Sequence, residues 1–119
     1  MFRSKRYSIL NRNYNEIIHD LITVINKIKE DKPSCKVILC TVPPFDFTEE
    51  REVTWRSVNK FILSNSLDTI DRVFDVAAVL SEEEPKDNFE KAEYHSNFND
   101  PHPNGIAGKV IADAFLAWY

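Results

Sequence analysis

Lys36-Val37-Ile38-Leu39-Cys40-Thr41-Val42, followed at once by Pro43-Pro44, is the stretch that decides the fold. It is too short for a helix, rich in β-branched residues and nearly unbroken in apolarity. That pattern predicts a parallel strand covered on both faces, over residues 36–42. The two prolines lack the N–H that a ladder needs and stop the strand abruptly. Working outward, Tyr14, Ile17, Ile18, Leu21, Ile22, Ile25 and Ile28 recur at helical spacing between Asn13 and about Glu30. Asn11 or Asn13 supplies a cap, and Asp31-Lys32-Pro33-Ser34 ends the helix. On the other side, Glu49 to about Ser64 reads as a second helix capped by Thr48, with Val53, Val58, Phe61 and Ile62 turned inward. Glu49, Glu50 and Glu52 suit its positive end. A second strand is expected at about Arg72–Val76, carrying Asp75. A polar stretch from Ser81 to Asn97 then reads as a surface loop with room for a short helical turn. A last helix runs from Asn104 to Trp118, with Val110, Ile111, Ala114, Phe115 and Trp118 in one stripe.

The order helix, strand, helix, strand, loop, helix points to an α/β fold in three layers, a parallel sheet between helices. Two parallel strands do not make a stable sheet alone. Further strands are therefore expected on the N-terminal side, before the first helix. Without them the edge of the 36–42 strand is open, and the chain is expected to associate with itself as a homo-oligomer or to need a companion segment.

The chain has 119 residues, the size of one domain, and 43% of them are apolar, enough for a packed core. A net charge of −4 argues against nucleic acid as a partner, which calls for a basic face. No run of about 18 apolar residues is present, so no membrane span is expected. Arg3, Ser4, Lys5 and Arg6 make the start too polar for a signal peptide. Cys35 and Cys40 fall in one predicted strand at odd spacing, on opposite faces, and are expected to be two buried free thiols. Only two glycines occur, Gly105 and Gly108, where average usage would give roughly eight. Open α/β enzymes place glycines at the turns that cradle ligands. Such turns are absent from these residues.

The stretch richest in chemical implication is Asn99-Asp100-Pro101-His102-Pro103-Asn104-Gly105-Ile106-Ala107-Gly108. Asn104 caps the last helix, Pro103 sets the direction of the chain before it, and Gly108 is expected to let the helix lie close to a neighbour. His102 is thereby held at the edge of the sheet beside an acid, and a histidine oriented by an acid activates a hydroxyl nucleophile. A turn histidine with no chemistry is the plain alternative. His95 reads as a loop residue. His95, His102 and Asp100 match no standard metal spacing, so no metal is expected. His19 and Asp20 read as solvated helix residues, and Glu82-Glu83-Glu84 as a solvated run.

The block resembles the last motif of SGNH/GDSL-type serine hydrolases, Asp-x-x-His-Pro-Asn with a glycine in the next turn. Residues 36–44 are similar to that family's strand ending in a proline loop. Val58-Asn59-Lys60-Phe61-Ile62 is similar to its helix motif, and Val73-Phe74-Asp75-Val76-Ala77 to its strand leading to an aspartate. The resemblance spans about residues 10–119, the C-terminal part of such an enzyme. It implies a flavodoxin-like three-layer fold and hydrolysis of a small-molecule ester through an acyl-serine, with no cofactor. His102 is then the general base, oriented by Asp100 or Asn99. The family's aspartate stands three before the histidine, where this chain has Asn99, while Asp100 stands two before. Pro43, Pro44 and Phe45 are the implied substrate-binding residues. The family's Gly-Asp-Ser block and its glycine and asparagine oxyanion donors are absent from these 119 residues, and none of the serines present sits on a glycine-bearing turn. The nucleophile is accordingly expected in a preceding segment, and this chain alone is expected to be inactive. The competing expectations are a non-catalytic α/β interaction module or pseudoenzyme fragment, and, less favoured for want of a phosphate-binding glycine loop, a small flavodoxin-like binding domain.

Overall fold

The two expected strands pair in parallel in a computed structural model of the chain, which describes residues 12–45, 47–95 and 102–119. Strand β1 is Ile38–Cys40 and strand β2 is Arg72–Phe74, with Ile38 opposite Arg72, Leu39 opposite Val73 and Cys40 opposite Phe74. Both are shorter than the sequence suggests, because side chains take over the backbone groups at each end. The Val37 N–H donates to the Asp71 carboxylate (2.6 Å). The Val42 N–H donates to the Asn59 side-chain oxygen (2.8 Å). After Phe74 the chain turns instead of extending to Val76. Asp75 caps a short helix, Val76–Leu80, which the apolar pattern of the sequence does not separate from the strand.

The chain divides into two compact units, Met1–Cys35 and Lys36–Tyr119. The first is built on helix α1, Tyr14–Asp31. Asn13 caps it with a full capping box: its side chain accepts from the Glu16 N–H, and the Glu16 carboxylate accepts from the Asn13 N–H. Arg12 adds an ion pair to Asp20 (2.7 Å), further along the same helix. In the loop after α1, the Lys29 ammonium donates to the Cys35 carbonyl (2.7 Å).

The second unit holds the sheet and, in order, α2 (Glu49–Ser64), α3 (Val76–Leu80), a 3-10 turn (Ala92–Tyr94) and α4 (Gly105–Trp118). Its core gathers Phe74, Val76, Leu80, Tyr94 and Ala107, with Ile38, Val110, Ile111, Phe115 and Trp118 packed against it. Phe74 meets Phe115 edge to face, ring centres 5.3 Å apart, and lies 5.1 Å from Trp118. The stripe read from the α4 sequence is thus the face that covers β2. Arg72 fastens the far end of that helix. Its guanidinium donates to the carbonyls of Trp118 (3.0 Å) and Tyr119 (3.1 Å), which have no partner within the helix, and stacks 3.7 Å from the Trp118 ring centre.

Three expectations are corrected. Val53 is 66% exposed, because the buried face of α2 runs through Trp55, Val58, Asn59 and Ile62 and Val53 points the opposite way. Cys35 and Cys40 are both exposed, since Cys35 precedes the strand and Cys40 sits at the end of a strand only three residues long. Among the described residues Gly108 makes no close approach: a Cβ built there meets nothing within 4 Å. An exposed helical glycine with free space around it carries only an entropic penalty. Gly108→Ala is therefore expected to raise stability by about 0.5–1 kcal/mol, read as a shift of the urea midpoint.

Candidate functional site

His102 is exposed and stands two residues before Asn104, the cap of α4. Asn104 fixes it from the helix side. The Asn104 side-chain oxygen accepts from the Ala107 N–H (3.0 Å), its side-chain amide donates to the Glu93 carbonyl (3.0 Å), and its backbone N–H donates to the Tyr94 carbonyl (2.8 Å). An antiparallel bridge between His95 and Pro103 holds the other side. Asn104 therefore caps the last helix as its place in the sequence suggests. A capped helix start, an anchored asparagine and a buried tyrosine set the backbone on which His102 is carried. Asn99 and Asp100, the two candidates to orient it, lie outside the described residues.

The proline loop begins where β1 ends, and its base is heavily hydrogen-bonded. The Asn59 carboxamide pairs with Val42 as a neighbouring strand would, accepting from its N–H (2.8 Å) and donating to its carbonyl (2.9 Å). The Trp55 indole N–H donates to the same carbonyl (2.8 Å). One residue earlier, the buried Thr41 hydroxyl donates to Asp75 (2.8 Å) and accepts from the Ala77 N–H (2.9 Å). Asp75 also accepts from the Ala78 N–H (3.2 Å), so one carboxylate joins the end of β1 to the cap of α3. Beyond this base Pro44 is fully buried, Pro43 is half-buried, and Phe45 is 37% exposed and edge-on to Phe47 at 6.0 Å. Phe47 in turn packs on Trp55 at 5.7 Å.

Thr41, Trp55 and Asn59 carry no motif that marks them in the sequence, yet a signal is present. Trp55, Val58, Asn59 and Ile62 share one helical face, and a polar residue on an apolar face is usually hydrogen-bonded there.

The loop after α3 carries the second histidine. A bridge between Ser81 and Glu90 closes its neck, and the 3-10 turn brings Tyr94 into the core. Glu90 buries one carboxylate oxygen that has no hydrogen-bond partner among the described residues. Burial pushes the Glu90 carboxyl above the ordinary carboxylate range, and the nearby His95 imidazole pulls the other way. The folded state then holds this proton more tightly than the unfolded chain. The stabilisation is present at low pH and is lost as pH rises through the raised folded value. Glu90→Gln is expected to raise the urea midpoint at about pH 7 and to leave it unchanged at about pH 4.

Among the described residues, no group of three or more His, Cys, Asp and Glu side chains is placed to hold a metal ion. No helix among them is long and apolar enough to cross a membrane. No family model matches the chain, and no curated protein matches it.

Proposed function

We propose that this chain is the C-terminal part of an SGNH/GDSL-type ester hydrolase with a three-layer, flavodoxin-like arrangement, working through an acyl-serine intermediate. His102 is the general base that takes the serine proton and returns it to the leaving alcohol. Asp100 or Asn99 orients its imidazole. Pro43, Pro44 and Phe45 form the substrate-facing loop, with Pro44 as its buried anchor. The serine and the oxyanion donors come from a segment outside these 119 residues, which contain no Gly-Asp-Ser block. The substrate is a small-molecule ester, and no cofactor takes part.

The observation that carries this reading is the setting of the His-Pro-Asn-Gly block. Asn104 is at once the cap of α4 and a cross-link to the backbone of Glu93 and Tyr94, so the preceding histidine is presented on a braced turn rather than a free loop. Support also comes from the parallel register of β1 and β2, with a proline loop after one and an aspartate after the other. A non-catalytic interaction module is the alternative, and it differs in what it requires of the turn: bracing, but no base.

The test is hydrolysis of a short-chain nitrophenyl ester. The chain alone is expected to be no faster than a histidine-containing control, because a serine hydrolase needs a nucleophile about 3 Å from the base and donors for the oxyanion. The chain joined to a family N-terminal segment is expected to turn over. Strong activity of the chain alone refutes the external nucleophile, and inactivity of a well-folded joined chain refutes the esterase reading.

A further inference from the structure

The segment between Ser81 and Glu90, closed at its neck by their bridge, is tied at its tip to a different element. At the neck the Glu82 N–H donates to the Phe89 carbonyl (2.9 Å) and the Lys91 N–H to the Leu80 carbonyl (2.9 Å). Two internal turns, Lys86 N–H to the Glu83 carbonyl and Phe89 N–H to the Lys86 carbonyl, fold it into a closed loop. At the tip, Arg56 of α2 grips Asp87 with both terminal nitrogens, at 2.9 and 3.2 Å. Glu52, one turn earlier on α2, accepts from the Arg56 Nε (3.3 Å) and from the Asn88 side-chain amide (2.7 Å). Arg56 holds the Asp87 carboxyl below the usual carboxylate range, chiefly through the hydrogen bond it donates. A cleft of about 530 Å³, open to solvent on one side, lies between the two elements. Trp55, Asn59, Asp75 and Ala77 line it from the body of the fold, and Glu84 and Asp87 line it from the loop.

We propose that residues 82–89 are a strap over this cleft, and that the Arg56–Asp87 and Glu52–Asn88 ties are the latch that sets access to it. The geometry divides the work. The neck is held by backbone bonds between its two arms, so it stays closed. The tip is held to α2 by side chains, and its ion pair is partly exposed, 43% on Arg56 and 29% on Asp87. Exposed pairs of this kind are individually weak and are screened by salt. The strap therefore swings about its neck when the latch opens, uncovering the cleft wall around Trp55 and Asp75. The strap is independent of the esterase reading, since it uses neither His102 nor an external serine.

Two measurements test it. In each chain, trypsin cleavage after Lys86 reports tip opening, with a free peptide of residues 82–90 of that chain's own sequence, Asp87→Asn included, as the reference for the protease itself. In a Trp118→Phe background, acrylamide quenching reports access to Trp55, which is then the only tryptophan. Raising salt from about 0.05 M to about 0.5 M is expected to speed cleavage relative to the peptide and to increase quenching. Asp87→Asn is expected to raise both by roughly fivefold, the population shift that an exposed ion pair of good geometry carries. Arg56→Lys keeps the charge but loses the two-pronged grip, and its values should fall between those of wild type and Asp87→Asn. Cleavage and quenching of the wild type that ignore salt would overturn the proposal. So would an Asp87→Asn chain that melts like wild type yet shows both signals unchanged. If Asp87→Asn does not fold, the salt series on the unmodified chain decides.

Discussion

Alanine at position 102, in the chain joined to a segment that carries a Gly-Asp-Ser block, is expected to lower kcat for a short-chain nitrophenyl ester by about 10⁴-fold or more. The size follows from the role. A neutral serine hydroxyl is a poor nucleophile, and a base removed from the triad leaves only binding and oxyanion stabilisation to act. The urea midpoint of the His102→Ala chain, measured beside kcat, separates chemistry from folding. Asn99→Ala and Asp100→Ala in the same background identify the residue that orients the imidazole, through the larger loss of turnover. A carboxylate in that role stabilises the imidazolium that forms, whereas an amide only aims the ring, and in a serine protease that difference is worth about 10⁴ in turnover. Turnover that survives in the His102→Ala chain removes His102 as the base.

Asn59→Leu is expected to destabilise the Lys36–Tyr119 unit by about 2–3 kcal/mol. Leucine nearly matches asparagine in shape, so the change isolates the hydrogen bonds. It strips the Val42 N–H of its acceptor and removes one of the two side-chain donors to the Val42 carbonyl, in a place where Asn59 itself is 8% exposed. The part-buried Val42 N–H left without its acceptor carries most of the penalty. The measurement is the urea midpoint at constant slope. In a Trp118→Phe background the emission of Trp55 should shift with it, because the indole shares the same carbonyl. Lys60→Ala, one residue away and exposed, serves as the comparison and should stay within about 0.5 kcal/mol of the parent. A loss for Asn59→Leu no larger than that of Lys60→Ala would mean that the carboxamide does not hold the base of the proline loop.

How far each feature is legible in the sequence depends on the range of the interaction behind it. Helix α2 begins after Thr48 and ends at Ser64 as its sequence suggests, because a capping hydroxyl and a run of first-turn acids act within one turn. The start of α4 is legible for the same reason, as Asn104 reaches only to Ala107. The inward face of α2 is legible only in part. Val53 is apolar but lies opposite Ile62, and the polar Asn59 is buried because Val42, seventeen positions earlier, offers both a donor and an acceptor. The strap is legible only as a polar, acidic stretch, since its latch joins Asp87 to a helix residue thirty-one positions before it.

By itself the sequence determined the three long helices, the two apolar runs that pair in parallel, and the Asn104 cap of the last helix. These follow from periodicity, proline stops and caps, all of which act between near neighbours. Only the tertiary structure decided how long the strands are, where Thr41, Asn59 and Asp75 spend their polar groups, that Gly108 has open space beside it, and that residues 82–89 are tied to α2. Each of these turns on which distant backbone or side-chain group lies within about 3 Å of a donor or acceptor. Hydrophobic patterning carries no record of that pairing, because a satisfied buried asparagine and a solvated one look alike until the partner is in place.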